Sequence, residues 1–190
     1  MEYPSMAIGI TVITTANHAR RFFQTDAASL EQILSSLQRS AQLFSGTPLI
    51  IGSAGRTEVF AAAAIACLEI ETARDLSSYL PSPGNLTLTA LTPEQHAEPF
   101  AGRLEGEHFT RRIEFFFTGG HVLFTLAEGV RKPALAERLM NLTSLFARPI
   151  ITYRLAQGGI GLMNPQAMTR FVITPGVPDL PRDAWLADAA

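Results

Sequence analysis

Gly52-Ser53-Ala54-Gly55-Arg56 is the stretch whose residue types come nearest to a reactive site. A serine among glycines suggests a nucleophile. Glycines ahead of an arginine suggest a backbone cradle for an anion, with Arg56 as the charged contact. The spacing fits neither cleanly. A nucleophile elbow, G-x-S-x-G, needs glycine where Ile51 stands. The Walker lysine and the third glycine of a dinucleotide fingerprint are missing as well. Ser53, Gly55 and Arg56 are the candidate ligand contacts of an anion-binding or small-molecule site, and a plain hairpin turn is the preferred reading beside it.

The other reactive side chains are scattered. His18, His96, His108 and His121 form no H-x-x-x-H or H-E-x-x-H pair, so no metal site is expected. His108 beside Glu107 supplies an acid–base pair only if the fold brings a third group to it. Cys67 has no cation next to it, and its neighbours Glu69 and Glu71 raise its pKa, so it reads as a half-buried structural thiol. Two basic dipeptides precede aromatics: Arg20-Arg21 before Phe22-Phe23, and Arg111-Arg112 before Phe115-Phe116-Phe117. Arginine with exposed aromatics is how sheets hold single-stranded nucleic acid. Strand alternation, however, puts only one residue of each pair on a given face. Core phenylalanines, with the arginines paired to acids such as Glu69, Glu71 and Glu114, are the preferred account. No catalytic residue and no cofactor is expected.

The candidate loop depends on how Pro48–Thr72 folds. As a helix, Val59, Ala63, Ala66, Ile70 and Ala73 form one stripe, and a strand–glycine turn–helix would present N–H groups to a phosphate. As a strand, Ala66, Leu68 and Ile70 alternate with Cys67, Glu69 and Glu71, leaving the acids on one face. The strand is preferred because Glu58–Thr72 has an echo near the C-terminus at a constant offset of 103 residues: Val59 lies over Leu162, Ile65 over Met168, Leu68 over Phe171 and Ile70 over Ile173. The second copy contains Pro165 and Phe171-Val172-Ile173, which favour strand over helix. A second echo sets Ile8–Phe22 over Leu86–Phe100 at an offset of 78. The difference requires roughly 25 extra residues in the second half, for which the hairpin around Gly119-Gly120 is the expected insertion.

Read in order, Met6–Thr14 and Arg20–Gln24 suit strands. Ser29 and Gln32 have capping-box spacing, ahead of a helix with Leu30, Ile33, Leu34, Leu37, Ala41 and Phe44 on one face. Gly46 and Pro48 are its expected stop. Pro81–Gly84 is the boundary between halves, Thr92–Gly106 reads as irregular, and Phe109–Thr118 with Val122–Leu126 as a hairpin. A second helix starts at Pro133 with Leu135, Leu139, Leu142 and Phe146, followed by strands over Ile150–Leu155, Gly161–Met163 and Thr169–Thr174. The fold expected is α+β: largely antiparallel sheet with two amphipathic helices, one domain that divides into two similar halves (about 6–80 and 86–175) related by a pseudo-two-fold, and a tail over 176–190.

Composition bounds the function. Of 190 residues, 47% are apolar and 17% charged, against about 25% charged in ordinary domains. A net charge of −2 argues against a protein whose work is holding nucleic acid. The lone Cys67 excludes an internal disulfide and fits a reducing, cytoplasmic setting. No segment reads as a secretory signal or a membrane span. Apolar excess with few charges leads to the expectation of a non-enzymatic structural or interaction protein, partnered by itself or another protein. A homodimer is expected, with the Phe109–Leu126 hairpin at its interface and Phe116 facing away from Phe115 and Phe117. The rival expectation is a ligand-binding protein or enzyme using Gly52–Arg56.

Overall fold

A computed structural model describes residues 7–53, 55–79, 86–130, 142–177, 180 and 182–187. Two hydrophobic cores, one purely aliphatic in its buried residues and one that adds Phe115, Phe117 and Tyr153, build a sheet-rich, mostly antiparallel fold. Its strands are β1 (Ile8–Thr14), β2 (Ala19–Gln24), β3 (Leu49–Ser53), β4 (Arg56–Phe60), β5 (Ile65–Glu71), β6 (Leu86–Ala90), β7 (Arg103–Glu105), β8 (His108–Phe117), β9 (Val122–Val130), β10 (Ile151–Arg154), β11 (Gly159–Met163) and β12 (Met168–Thr174). Among the described residues the main sheet runs β12-β8-β9-β6-β10-β11-β5-β1-β2, with β7 added on β8. The hairpin β3–β4 stands apart as a two-stranded sheet. The single parallel pairing among those residues is β6 with β10.

The ambiguous stretch is therefore strand, with a 3-10 turn at Ala62–Ala64 between β4 and β5. Cross-strand neighbours decide this where local propensity could not: Leu68 sits between Val12 of β1 and Leu162 of β11. The alternation along β5 divides its side chains between two cores. Leu68 and Ile70 pack with Ile8, Val12 and Leu162, while Cys67 faces Tyr153, Met163 and Phe115.

The first core is roofed by α1 (Ala27–Leu37), whose Leu30, Leu34 and Leu37 are buried. The helix starts ahead of the point that the Ser29 spacing suggested. Asp26 is the cap, its carboxylate accepting the Ser29 N–H at 2.8 Å. It also stops well before Gly46, at Leu37, so Ala41 and Phe44 lie beyond it. A short second helix, α2 (Pro93–Ala97), occupies the polar stretch expected to be irregular, closed by a Thr92–Gln95 capping box. The second helix expected at Pro133 falls mostly outside the described residues; Leu142–Leu145 forms a 3-10 turn. Of the apolar residues singled out on the helix faces and in the echo, Leu34, Leu37, Leu68 and Ile70 are buried, while Phe44, Phe146, Phe171 and Ile173 are half-buried. Leu139 lies outside the described residues.

The bounds of β4, the Ala62–Ala64 turn and β5 return 103 residues later as those of β11, the Pro165–Ala167 turn and β12. The same shift carries β1–β2 onto part of β8–β9. Ile10 faces Phe22 and Ile70, and Ile113 faces Thr125 and Ile173. In the two hairpin turns, Thr14 N–H donates to His18 O at 3.0 Å and Phe117 N–H to His121 O at 2.9 Å. The offset of 78 does not recur in the pairing, because β6 lies between β9 and β10 whereas β1 lies between β2 and β5. The Gly119-Gly120 hairpin is accordingly no insertion. It closes with the same backbone hydrogen bonds as Thr14–His18, although Gly119 has a positive φ where Ala16 does not, and the two turns touch: a Cβ on Gly119 would overlap the Thr15 carbonyl.

Candidate functional site

The glycine-rich candidate loop is the β3–β4 turn, in which Ser53 faces Arg56. No helix follows Gly55, so the amide cradle of the helical reading does not form. Arg56 Nε lies 3.0 Å from Glu58 Oε1. Arg20 reaches the same carboxylate from β2, with Nε 3.0 Å from Oε2 and Nη2 2.6 Å from Oε1. The Arg20 hydrogen bond is the main cause holding Glu58 below the usual carboxylate range. Arg56 is thus one of two cations on an internal acid. Ala54 and the side chain of Ser53 lie outside the described residues.

A second polar group assembles on the sheet face shared by β10, β11, β5, β1 and β2. Tyr153, Gly161, Glu69, Thr11 and Arg21 are successive cross-strand neighbours. The buried Tyr153 hydroxyl donates to Glu69 Oε1 at 2.9 Å. Its ring lies against Gly161, where any Cβ would overlap it. One step along, Arg21 pairs with Glu71 across Gly9. Burial is the first cause that raises the Glu69 pKa, and neighbouring Glu71 adds to it. Cys67, fully rather than half buried, has its thiol pushed far up by burial and then by Glu69, so no thiolate is available. The group offers a protonatable carboxylate held by a phenol, beside a thiol that stays protonated.

The histidines stay apart. His96 Nε2 lies 3.3 Å from Glu114 Oε1, and its ring stacks on Phe124 at 4.2 Å. Arg112 ties the α2 segment down by donating to the carbonyls of Gln95, His96 and Glu98, while lying over Phe100. His121 is half-buried beside Phe117, and burial lowers its pKa. His18 and His108 are exposed. No group of three metal-ligating side chains occurs among the described residues. The basic dipeptides serve the fold: Arg20 and Arg21 bind Glu58 and Glu71, and Arg111 and Arg112 bind backbone carbonyls.

The exposed apolar side chains are elsewhere. Ile50 and Val59 face each other across β3–β4 and are 65% and 63% exposed. Phe115 and Phe117, in contrast, are buried within the chain, and Phe116 lies on the opposite face under Arg170, whose guanidinium is 3.9 Å from the ring centroid. Of the aromatic hairpin expected at an interface, one face is thus buried in the chain's own core, while Phe109, Phe116 and Phe124 are half-buried. Sequence reasoning missed both Tyr153 and the Ile50–Val59 pair; the alternation Gly159-Ile160-Gly161 was the available sign of a close approach. No family model matches the chain, and no curated protein or solved structure matches it.

Proposed function

We propose that the protein is a non-enzymatic, self-associating interaction module made of two copies of one sheet-rich unit related by an approximate two-fold. The observation that carries the reading is the outward-facing pair Ile50 and Val59 on a hairpin that joins no larger sheet among the described residues. A two-stranded hairpin with one apolar face in water is marginal by itself, and covering that face is the ordinary remedy. The constant shift of 103 residues through β1–β2 and β4–β5 supports the duplicated unit. The unpaired thiol Cys67 is compatible with a reducing, cytoplasmic setting. None of the described helices is long and apolar enough to cross a membrane.

The test is the mass of the particle. Size-exclusion chromatography with light scattering should give a dimer at micromolar concentration, and Val59→Glu should shift it to monomer without loss of the sheet signal in circular dichroism. A monomer in the unsubstituted protein overturns the reading.

A further inference from the structure

We infer that the open edge of β12 receives strand β4 of a second copy, in the register that β11 adopts on β5 within the chain. The inference rests on the self-association proposed above and supplies its geometry.

The template is internal. β11 lies antiparallel on β5, with Gly159 opposite Glu71, Leu162 opposite Leu68 and Met163 opposite Cys67. β4 and β12 are the strands that the 103-residue shift relates to β11 and β5. Yet among the described residues β4 pairs only with β3, and β12 only with β8, so each keeps one edge open. Open edges attract strands, and a matched pair on one chain invites exchange between two.

One residue accounts for the difference between the halves. After β11 comes Asn164, 1% exposed, whose backbone N–H donates to Ala66 O at 2.9 Å and whose side chain donates to Ile65 O at 3.0 Å. These bonds fasten the end of β11 to the start of β5. The position 103 residues earlier is Ala61, which is exposed and has no side chain to donate. Among the described residues nothing equivalent fastens β4 to the β12 of its own chain.

Transferring the β11–β5 register places Val59 opposite Phe171, Thr57 opposite Ile173, Glu58 opposite Val172, Phe60 opposite Arg170 and Arg56 opposite Thr174. The exposed Val59 then meets the half-buried Phe171 and Ile173, and Ile50 extends the same row. Glu58 comes diagonal to Arg170, and no like charges stand opposite each other. Each copy offers one β4 and one β12, so the exchange closes as a two-fold dimer and leaves no strand over.

The experiment mixes two singly substituted proteins, Thr57→Cys and Ile173→Cys, under mild oxidation, with a single chain carrying both substitutions run in parallel. Directly opposed strand residues lie within disulfide reach. A cross-linked dimer from the mixture, absent when Val172→Cys replaces Ile173→Cys, is the expected result. If the mixture yields none while the doubly substituted chain oxidises within itself, the strand closes in its own chain and the inference is overturned. A dimer by light scattering with no cross-link in either sample overturns the register but leaves self-association standing. A monomer throughout overturns both. Should Ile173→Cys fail to fold, Val59→Cys with Phe171→Cys probes the same register and carries the same outcomes.

Discussion

At the scale of single residues, two glycines side by side behave differently for a reason that lies outside the turn. Gly119 and Gly120 both have positive φ, 86° and 96°. A methyl group added at Gly120 would have nothing within 4 Å, so Gly120→Ala should cost only the left-handed strain, about 1–2 kcal/mol. A Cβ on Gly119 meets the backbone of Thr15 and Ala16, which cannot swing aside. Gly119→Ala should therefore cost about 3 kcal/mol or more in denaturant melts; equal losses would refute the contact between the turns. Glu69 gives a prediction in pH. Because burial raises its pKa, the native state holds the proton to higher pH than the unfolded chain, whose carboxyl titrates near about 4.3. Stability thus falls as pH rises from that value through the raised native one. Glu69→Gln keeps an acceptor for Tyr153, and its stability relative to the parent protein should increase across that interval. A difference that stays constant with pH would mean that Glu69 is not titrating there.

At the scale of elements, α1 is held to the sheet by a stripe that was legible as spacing. Leu30, Leu34 and Leu37 are all buried, so Leu37→Ala should cost about 2–5 kcal/mol. Leu104→Ala, at a position 55% exposed on β7, should stay within about 0.5 kcal/mol. A loss below about 1 kcal/mol at Leu37 would place that face at the surface. β12 was legible through Pro165 and the Phe171-Val172-Ile173 run, while β5 fitted a helical as well as an alternating period and was decided by its cross-strand neighbours. α2 was not legible, since it buries no residue and its only signal is the Thr92–Gln95 cap inside a polar run. The bond between Tyr153 and Glu69 joins residues 84 apart, and no local pattern announces such a pair. The Gly52–Arg56 loop, whose composition resembles a ligand loop, is the hairpin turn of the preferred reading, and its arginine lies on Glu58 together with Arg20, which arrives from another strand. The offset of 103 recurs in the bounds of whole strands, whereas the offset of 78 rests on short apolar matches and does not recur in the pairing.

At the scale of the molecule, the strands superposed by the 103-residue shift close their hairpin turns with the same backbone hydrogen bonds and differ in how the β3–β4 and β10–β11 hairpins end. The sheet takes in β10–β11 between β6 and β5 and leaves β3–β4 outside. At the shifted positions that follow β11 and β4, the Asn164 side chain donates to the Ile65 carbonyl and Ala61 makes no side-chain hydrogen bond. Ala61→Asn restores the missing side chain, and in the dimer inferred above it faces the Met168 carbonyl of the second copy, as Asn164 faces that of Ile65. One added hydrogen bond is worth about 1 kcal/mol, so dimer dissociation should weaken roughly fivefold per site. Two such sites act together in a two-fold dimer, which makes the effect easy to read by sedimentation at low protein concentration. Tighter association is the expected outcome. If Ala61→Asn instead drives the protein toward monomer while raising its melting temperature, the new side chain has fastened β4 to β12 of its own chain, and the open hairpin is closed from within rather than by a partner.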